Sequence, residues 1–192
     1  AVDRQVRQRI YRELEEIIAQ KRPAIEERLT YLKTARPGPD TDAVVCRLHV
    51  LACYLKKRCV LLLRGREDGT LDAWELSLAL QESQRYLDQA GLQGRVGFDL
   101  SGRLPASAAL TLYDVFEEAG EAALAQGESY WLCQFRESEK DWIFSLVLEQ
   151  AEGEDWLPAW QGLAAYDVAV RCDDTGYGQR LTVCVEKEGD HG

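Results

Sequence analysis

The sequence contains no methionine, even at its first position, and only two histidines and five prolines among 192 residues. Lacking an initiating Met, the chain reads as a piece cut from a longer polypeptide whose sensing part precedes Ala1. No apolar run approaches the roughly 20 residues needed to cross a bilayer, and no signal peptide is present, so what remains is expected to be soluble. Cations are in short supply: 23 Lys and Arg face 33 Asp and Glu, for a formal charge of −10. A general nucleic-acid binder, which gains affinity by neutralising phosphates, is thereby excluded. The six cysteines, Cys46, Cys53, Cys59, Cys133, Cys172 and Cys184, lack the CxxC pairs of a zinc site and the density of a secreted scaffold. Buried, reduced thiols in a cytoplasmic protein are expected.

The charge that is present is split unevenly. Residues 1–66 hold 15 Lys and Arg against 8 Asp and Glu, a net of +7, and residues 67–192 hold 8 against 25, a net of −17. Two differently built halves follow. In the first, Val6, Ile10, Leu14, Ile17, Ile18, Ile25, Leu29 and Leu32 recur at helical spacing, with Pro23 inside the run as the expected site of a kink. Arg36-Pro37-Gly38-Pro39 breaks this helix, and Asp40 or Thr41 is the expected N-cap of a second one over about 42–66. The pair predicts an antiparallel hairpin over 1–67. Its outer apolar surface would be covered by a second copy, giving a dimeric four-helix bundle.

Asp72 and Glu75 have the form of a capping box opening a connecting helix over 72–89. Beyond it lie a strand at 95–99, a helix from Pro105 to Gly127, strands at 129–136 and 141–149, a short helical stretch near 155–164, and strands at 166–172 and 179–187. Residues 68–192 are thus expected to form an α+β sandwich with a mixed, mostly antiparallel sheet.

This order of elements resembles the cytoplasmic core of bacterial sensor histidine kinases, in which a dimerisation and phosphoacceptor hairpin is joined to an ATP-binding domain of the GHKL superfamily. The resemblance spans nearly the whole chain. Its best local match is LYDVFEEAGEAALAQG at 112–127, similar to the kinase helix that supplies a Glu to polarise the attacking group and, four residues on, an Asn to ligate Mg²⁺. Glu118 holds the first position and Ala122 the second, and a methyl group cannot coordinate a hard cation. The neighbouring Glu117 and Glu121 are expected to form a solvated helix face. The family's adenine-reading Asp-x-Gly corresponds to Ala151 if Gly153 is the matching glycine; a register shifted to Glu152 or Asp155 would cost the strand alignment. Of the Gly-rich lid only Gly162-Leu163 remains, and Trp156, Leu157, Trp160 and Leu163 recur as a core-facing plug. Gly176-Tyr177-Gly178 lies between two alternating strands and follows Asp173 and Asp174, so it serves a hairpin turn rather than a phosphate.

In the family the phosphoacceptor His lies on the hairpin and is followed by an acidic base. His49 is followed by Val50 and Leu51, so general-base activation lacks its partner, and a packing or surface histidine is expected. His191 lies in the tail. A Tyr-x-Lys-Arg-Arg cluster found in sequences of this type has its counterpart in Tyr54-Leu55-Lys56-Lys57-Arg58. Arg4, Arg7, Arg9 and Arg12 form either a solvated helix face or the cytoplasmic flank of a membrane segment before residue 1.

The resemblance therefore implies the core of a sensor kinase-like signalling protein that has lost metal, adenine and lid functions. It would act through a homodimer and through contacts with a response regulator or another signalling protein, with no metal and no cofactor. Two alternatives stay open. One is a working protein-histidine kinase that uses ATP and Mg²⁺ with Glu118 as base and His49 as acceptor, and the other is a non-signalling dimeric scaffold.

Overall fold

The computed structural model describes residues 2–66, 68–148, 163, 166, 168–175 and 178–187, with side chains from residue 8 onward except that of Arg9. Its elements, in chain order, are helices α1 (Val2–Thr34) and α2 (Pro39–Arg64), strand β1 (Thr70–Asp72), helix α3 (Ala73–Gln89), strands β2 (Gln93–Asp99) and β3 (Arg103–Pro105), helix α4 (Ala106–Gln126), and strands β4 (Tyr130–Glu137), β5 (Asp141–Leu148), β6 (Ala169–Asp174) and β7 (Gln179–Glu186). The chain is α+β. The sheet order is β2-β4-β5-β7-β6, with β2 and β4 parallel and the other neighbours antiparallel. β1 and β3 form a separate antiparallel ribbon that the sequence pattern did not announce, since each is only three residues long.

Period-two alternation sets the faces of the sheet. Trp131, Cys133 and Phe135 of β4, Phe144, Leu146 and Leu148 of β5, and Leu181 and Val183 of β7 are buried on one side. Phe116 of α4 meets Trp131, Phe135 and Phe144 there, with ring centroids 5.1 to 6.3 Å apart. The opposite side carries no helix among the described residues.

α4 is buried nearly all round, from Ala108 through Leu124, because it is the middle layer. One side lies on the sheet and the other receives α2 and α3, and only a helix apolar on most of its circumference can occupy such a place. It ends, as the sequence predicts, at Gly127, whose φ of 81° is the left-handed conformation that glycine adopts without strain. Gly120 gives close approach: a Cβ there would stand 3.1 Å from the Leu87 methyls and 3.3 Å from the Trp131 ring.

α1 and α2 run antiparallel. Lys21 of α1 lies over the ring of Tyr54, and one turn pair further along α1, Arg28 reaches the carbonyl of Arg47, seven residues back on α2. Pro23 lies inside the continuous α1. The second helix begins at Gly38 rather than at Asp40 or Thr41. Pro39 occupies the first helical position, and the Thr41 hydroxyl turns back to accept from the Gly38 amide at 2.7 Å. Asp72 is the N-cap of α3, but the capping box is not formed: no side-chain bond caps the helix, and Asp72 and Glu75 are drawn instead to Arg103 and Arg64.

Part of the apolar surface of α2 is covered by its own chain. Val50, Tyr54, Leu61 and Leu62 join one hydrophobic cluster that runs from Ile10 through the helices into the sheet. At burial worth about 1.5–3 kcal/mol per large side chain, these contacts fasten the hairpin to the rest of the molecule. The cysteine expectation is corrected in part. No disulfide joins them, but only Cys53 and Cys133 are buried; Cys46 and Cys59 of α2, Cys172 of β6 and Cys184 of β7 are half-buried.

Candidate functional site

The face of α4 that meets the hairpin gathers most of the ionisable groups picked out from the sequence. Arg47, Tyr54 and Arg58 lie seven and four residues apart and so share one side of α2. Tyr54 stacks on Tyr113 at 5.8 Å and donates its hydroxyl to Asp114 Oδ1 at 3.0 Å. Arg58 Nε donates to the same oxygen at 2.8 Å, and Arg47 Nη2 donates to the carbonyl of Leu124 at 2.6 Å, where the C-terminal end of α4 favours a cation. Lys57 pairs with Glu82 of α3. The Tyr54–Arg58 cluster is therefore a clamp that holds α2 onto α3 and α4.

α1 completes it. Lys21 Nζ stands 2.6 Å from Glu118 Oε1, and Arg28 Nη2 stands 2.8 Å from Glu121 Oε2. Glu118, the position that the resemblance marks as catalytic, thus has a lysine directly on its carboxylate. Ala122, at the metal-binding position, is half-buried against the hydrophobic cluster. The residues present at these two positions do not fit a magnesium nucleotide, since one offers a methyl group and the other an already paired carboxylate.

Glu117 and Glu121 are not a solvated face. Glu117 is 2% exposed and Glu121 is engaged by Arg28. The hairpin laid over α4 accounts for both, because it removes from water a helix surface that would otherwise be wet. Glu117 lies in a pocket with Ser83, Tyr113 and Cys53, where Ser83 and Tyr113 share a 2.8 Å hydrogen bond and Cys53 Sγ is 3.9 Å from the Ser83 hydroxyl. Glu117 Oε1 has no hydrogen-bond partner. Burial pushes its carboxyl up to about 8, against the opposing pull of Ser83 and Tyr113. Burial likewise raises Asp114 above the usual carboxylate range, outweighing the Arg58 guanidinium, and pushes the Cys53 thiol up to about 11, which removes it as a nucleophile near neutrality.

His49 lies elsewhere, exposed on α2, with its ring edge against Tyr86 of α3 at 6.3 Å. It shares no hydrogen bond or ion pair with Glu118 or any other carboxylate among the described residues. One hollow lies on the open side of the sheet and another beside Trp74 and Leu78 at the start of α3, and Glu118, Ala122 and His49 line neither of these two. Among the described residues no group of three or more His, Cys, Asp or Glu is arranged to hold a metal ion. Nor is any described helix long and apolar enough to cross a membrane.

Ala151 with its alternatives Glu152 and Asp155, the Trp156, Leu157, Trp160 and Gly162 positions, the Gly176-Tyr177 pair and His191 lie outside the described residues. Leu163 is buried in the core, and Tyr166 packs beside it, close enough to Asp114 and Glu118 for their charges to act on its hydroxyl. Asp114, Glu117 and Lys21 were missed as partners in the sequence. An Asp between Tyr113 and Val115, inside an apolar stripe, was the available signal, because a charge on a buried face must find a partner.

No protein-family profile matches the chain, and no curated protein matches it in sequence. Among solved structures it is similar to the histidine kinase domain of the Erythrobacter litoralis blue-light activated histidine kinase, at 14% identity and a TM-score of 0.49, over 90% of this chain and 94% of that one. It is also similar to the Acinetobacter baumannii histidine kinase AdeS, at 13% identity and 0.48, over 92% and 98%. A structure described as a bacterial phosphotransferase is a further likeness, at 13% identity and 0.43, over 95% and 96%.

Proposed function

We propose that this chain is the core of a sensor histidine kinase-like signalling protein that does not bind magnesium ATP in the ordinary way and acts through dimerisation and protein contacts. The reading is carried by one observation: the carboxylate at the expected catalytic position, Glu118, is paired with Lys21 at 2.6 Å from the chain's own hairpin. The methyl side chain of Ala122, which cannot coordinate a hard cation, supports it. Tyr11, Ile18 and Leu29 of α1 and Val45, Val60 and Leu63 of α2 remain exposed and supply apolar surface for a homodimer. Six cysteines outside any disulfide support placement in the cytoplasm, and the Arg4–Arg12 cluster supports a membrane tether before it.

A nucleotide titration followed through tryptophan fluorescence, with and without Mg²⁺, tests the reading. No saturation is expected up to millimolar ATP; saturation at micromolar ATP overturns it. The exposure of His49 favours one alternative, an active kinase with that residue as acceptor. In that case labelled γ-phosphate reaches the unaltered chain and not His49→Ala.

A further inference from the structure

The sheet has a second face that the reading above does not use. On the side away from α3 and α4, the register sets Arg95 of β2, Leu132 of β4, Val147 of β5, Arg180 of β7 and Asp173 of β6 in one row across the five strands. Arg171 of β6 stands in the next row on the same face and Arg136 of β4 in the row after that. These side chains line an open hollow of about 670 Å³. All four arginines are exposed, none forms an ion pair among the described residues, and Asp173 is the one carboxylate of the described lining. Half of the eight Lys and Arg residues that follow position 66 therefore converge on one face of a segment whose net charge is −17.

Four guanidinium groups against the one carboxylate of Asp173 leave an excess of positive charge on this lining, which a negatively charged ligand would offset. The row gives the shape of that complement. With strands about 4.8 Å apart, Arg95 and Arg180 stand roughly 14 Å from each other across the sheet, and Leu132 and Val147 fill the interval. An apolar centre with charged ends has the anatomy of a small protein interface. Duplex nucleic acid fits poorly, because it would bring one phosphate per roughly 1.7 Å up to a strongly acidic segment and offer nothing to the two apolar side chains.

We propose that this face docks a segment of a partner protein in which carboxylates flank apolar residues. The proposal deepens the signalling reading by giving its protein contacts a place, although the binding itself does not depend on whether ATP binds. A hollow of this size belongs to weak, transient contacts steered by charge, with an affinity that falls as salt rises.

The test uses a fluorescein-labelled peptide of alternating Glu and Leu, followed by anisotropy against the full chain at about 50 mM and about 300 mM salt. Saturable binding at low salt is expected, weakened about tenfold or more, or roughly 1.4 kcal/mol, by Arg95→Gln with Arg180→Gln. Arg85→Gln, on the exposed side of α3, is expected to leave it unchanged. If the paired change shifts the emission of the buried Trp131, Arg136→Gln with Arg171→Gln carries the same comparison. The proposal is overturned by no binding at low salt, by an equal loss in Arg85→Gln, or by tighter binding of an oligothymidylate of matched charge. ATP titrated into the same samples separates the two readings. ATP saturation with peptide binding intact sinks the inactive-kinase reading alone, and absence of both sinks the docking face alone.

Discussion

Arg58 and Asp114, 56 residues apart in the chain, meet at 2.8 Å between α2 and α4 with both side chains nearly out of water. Their bond, with the Tyr54 hydroxyl on the same carboxylate, decides how the hairpin sits on the helix that the kinase resemblance singles out.

Breaking that pair strands a buried charge. Arg58→Ala is expected to lower unfolding free energy by about 3 kcal/mol, measured by urea denaturation, and Arg58→Leu combined with Asp114→Leu to recover most of the loss. A single-variant cost under about 1 kcal/mol would mean that the pair is effectively solvated.

Glu117 imposes a pH dependence opposite to that of an ordinary surface carboxylate. Its folded-state value lies near 8, above the usual 4.5 of the unfolded chain. Between those limits the folded protein holds a proton that the unfolded chain has released, so stability falls as pH rises and levels off above 8. The slope contributed is up to about 1.4 kcal/mol per pH unit. Glu117→Gln is expected to flatten the urea midpoint between pH 5.5 and 7.5, and an unchanged slope in that variant would assign the effect elsewhere.

Gly120 leaves no room for a branched side chain. Gly120→Val is expected to cost about 1–3 kcal/mol through overpacking against Leu87 and Trp131. Trp131 emission should move with it, while a change at Gly38, where a Cβ meets nothing within 4 Å, leaves the emission alone.

Thiol titration reads the burial pattern directly. In the native chain Cys53 and Cys133 are expected to resist a disulfide reagent for as long as the fold persists, while Cys46, Cys59, Cys172 and Cys184 react first. Rapid modification of Cys133, whose thiol burial pushes well above its ordinary value, would show that the sheet and helices do not enclose it.

Dimerisation through the hairpin predicts a sedimentation mass near twice 21.7 kDa at micromolar protein. Ile18→Glu with Leu63→Glu is expected to return the single-chain mass, since both residues are exposed and apolar. A monomer before any substitution removes the dimer from the proposed function.

Much of the architecture was legible in sequence because it is written in period. The helical spacing of Ile10 and Ile17 in α1 and the alternation of β4, β5 and β7 reflect burial against near neighbours, and the glycine after α4 reflects a left-handed φ. What escaped was long-range and electrostatic. Glu117 and Glu121 look like a wetted surface in one dimension, and only the hairpin lying on α4 makes one a buried acid and the other a partner of Arg28. The capping box at Asp72 failed for a related reason: Arg103 and Arg64, distant in sequence, compete for its two carboxylates. At the candidate site the methyl group of Ala122, where the resemblance expects a metal ligand, could be read directly, whereas the pairing of Glu118 with Lys21 required the third dimension.

The parallel pairing of β2 with β4 carries a kinetic consequence. Strands joined by a short turn can zip locally, as β4 and β5 can, but β2 reaches β4 only after the intervening chain has laid down α4 across the sheet. That edge of the sheet closes over a long loop and gains its contacts late, which sets it among the slower events of folding. Gln84 of α3, whose side chain accepts from the Trp131 indole at the start of β4, then reports on when that strand meets α3.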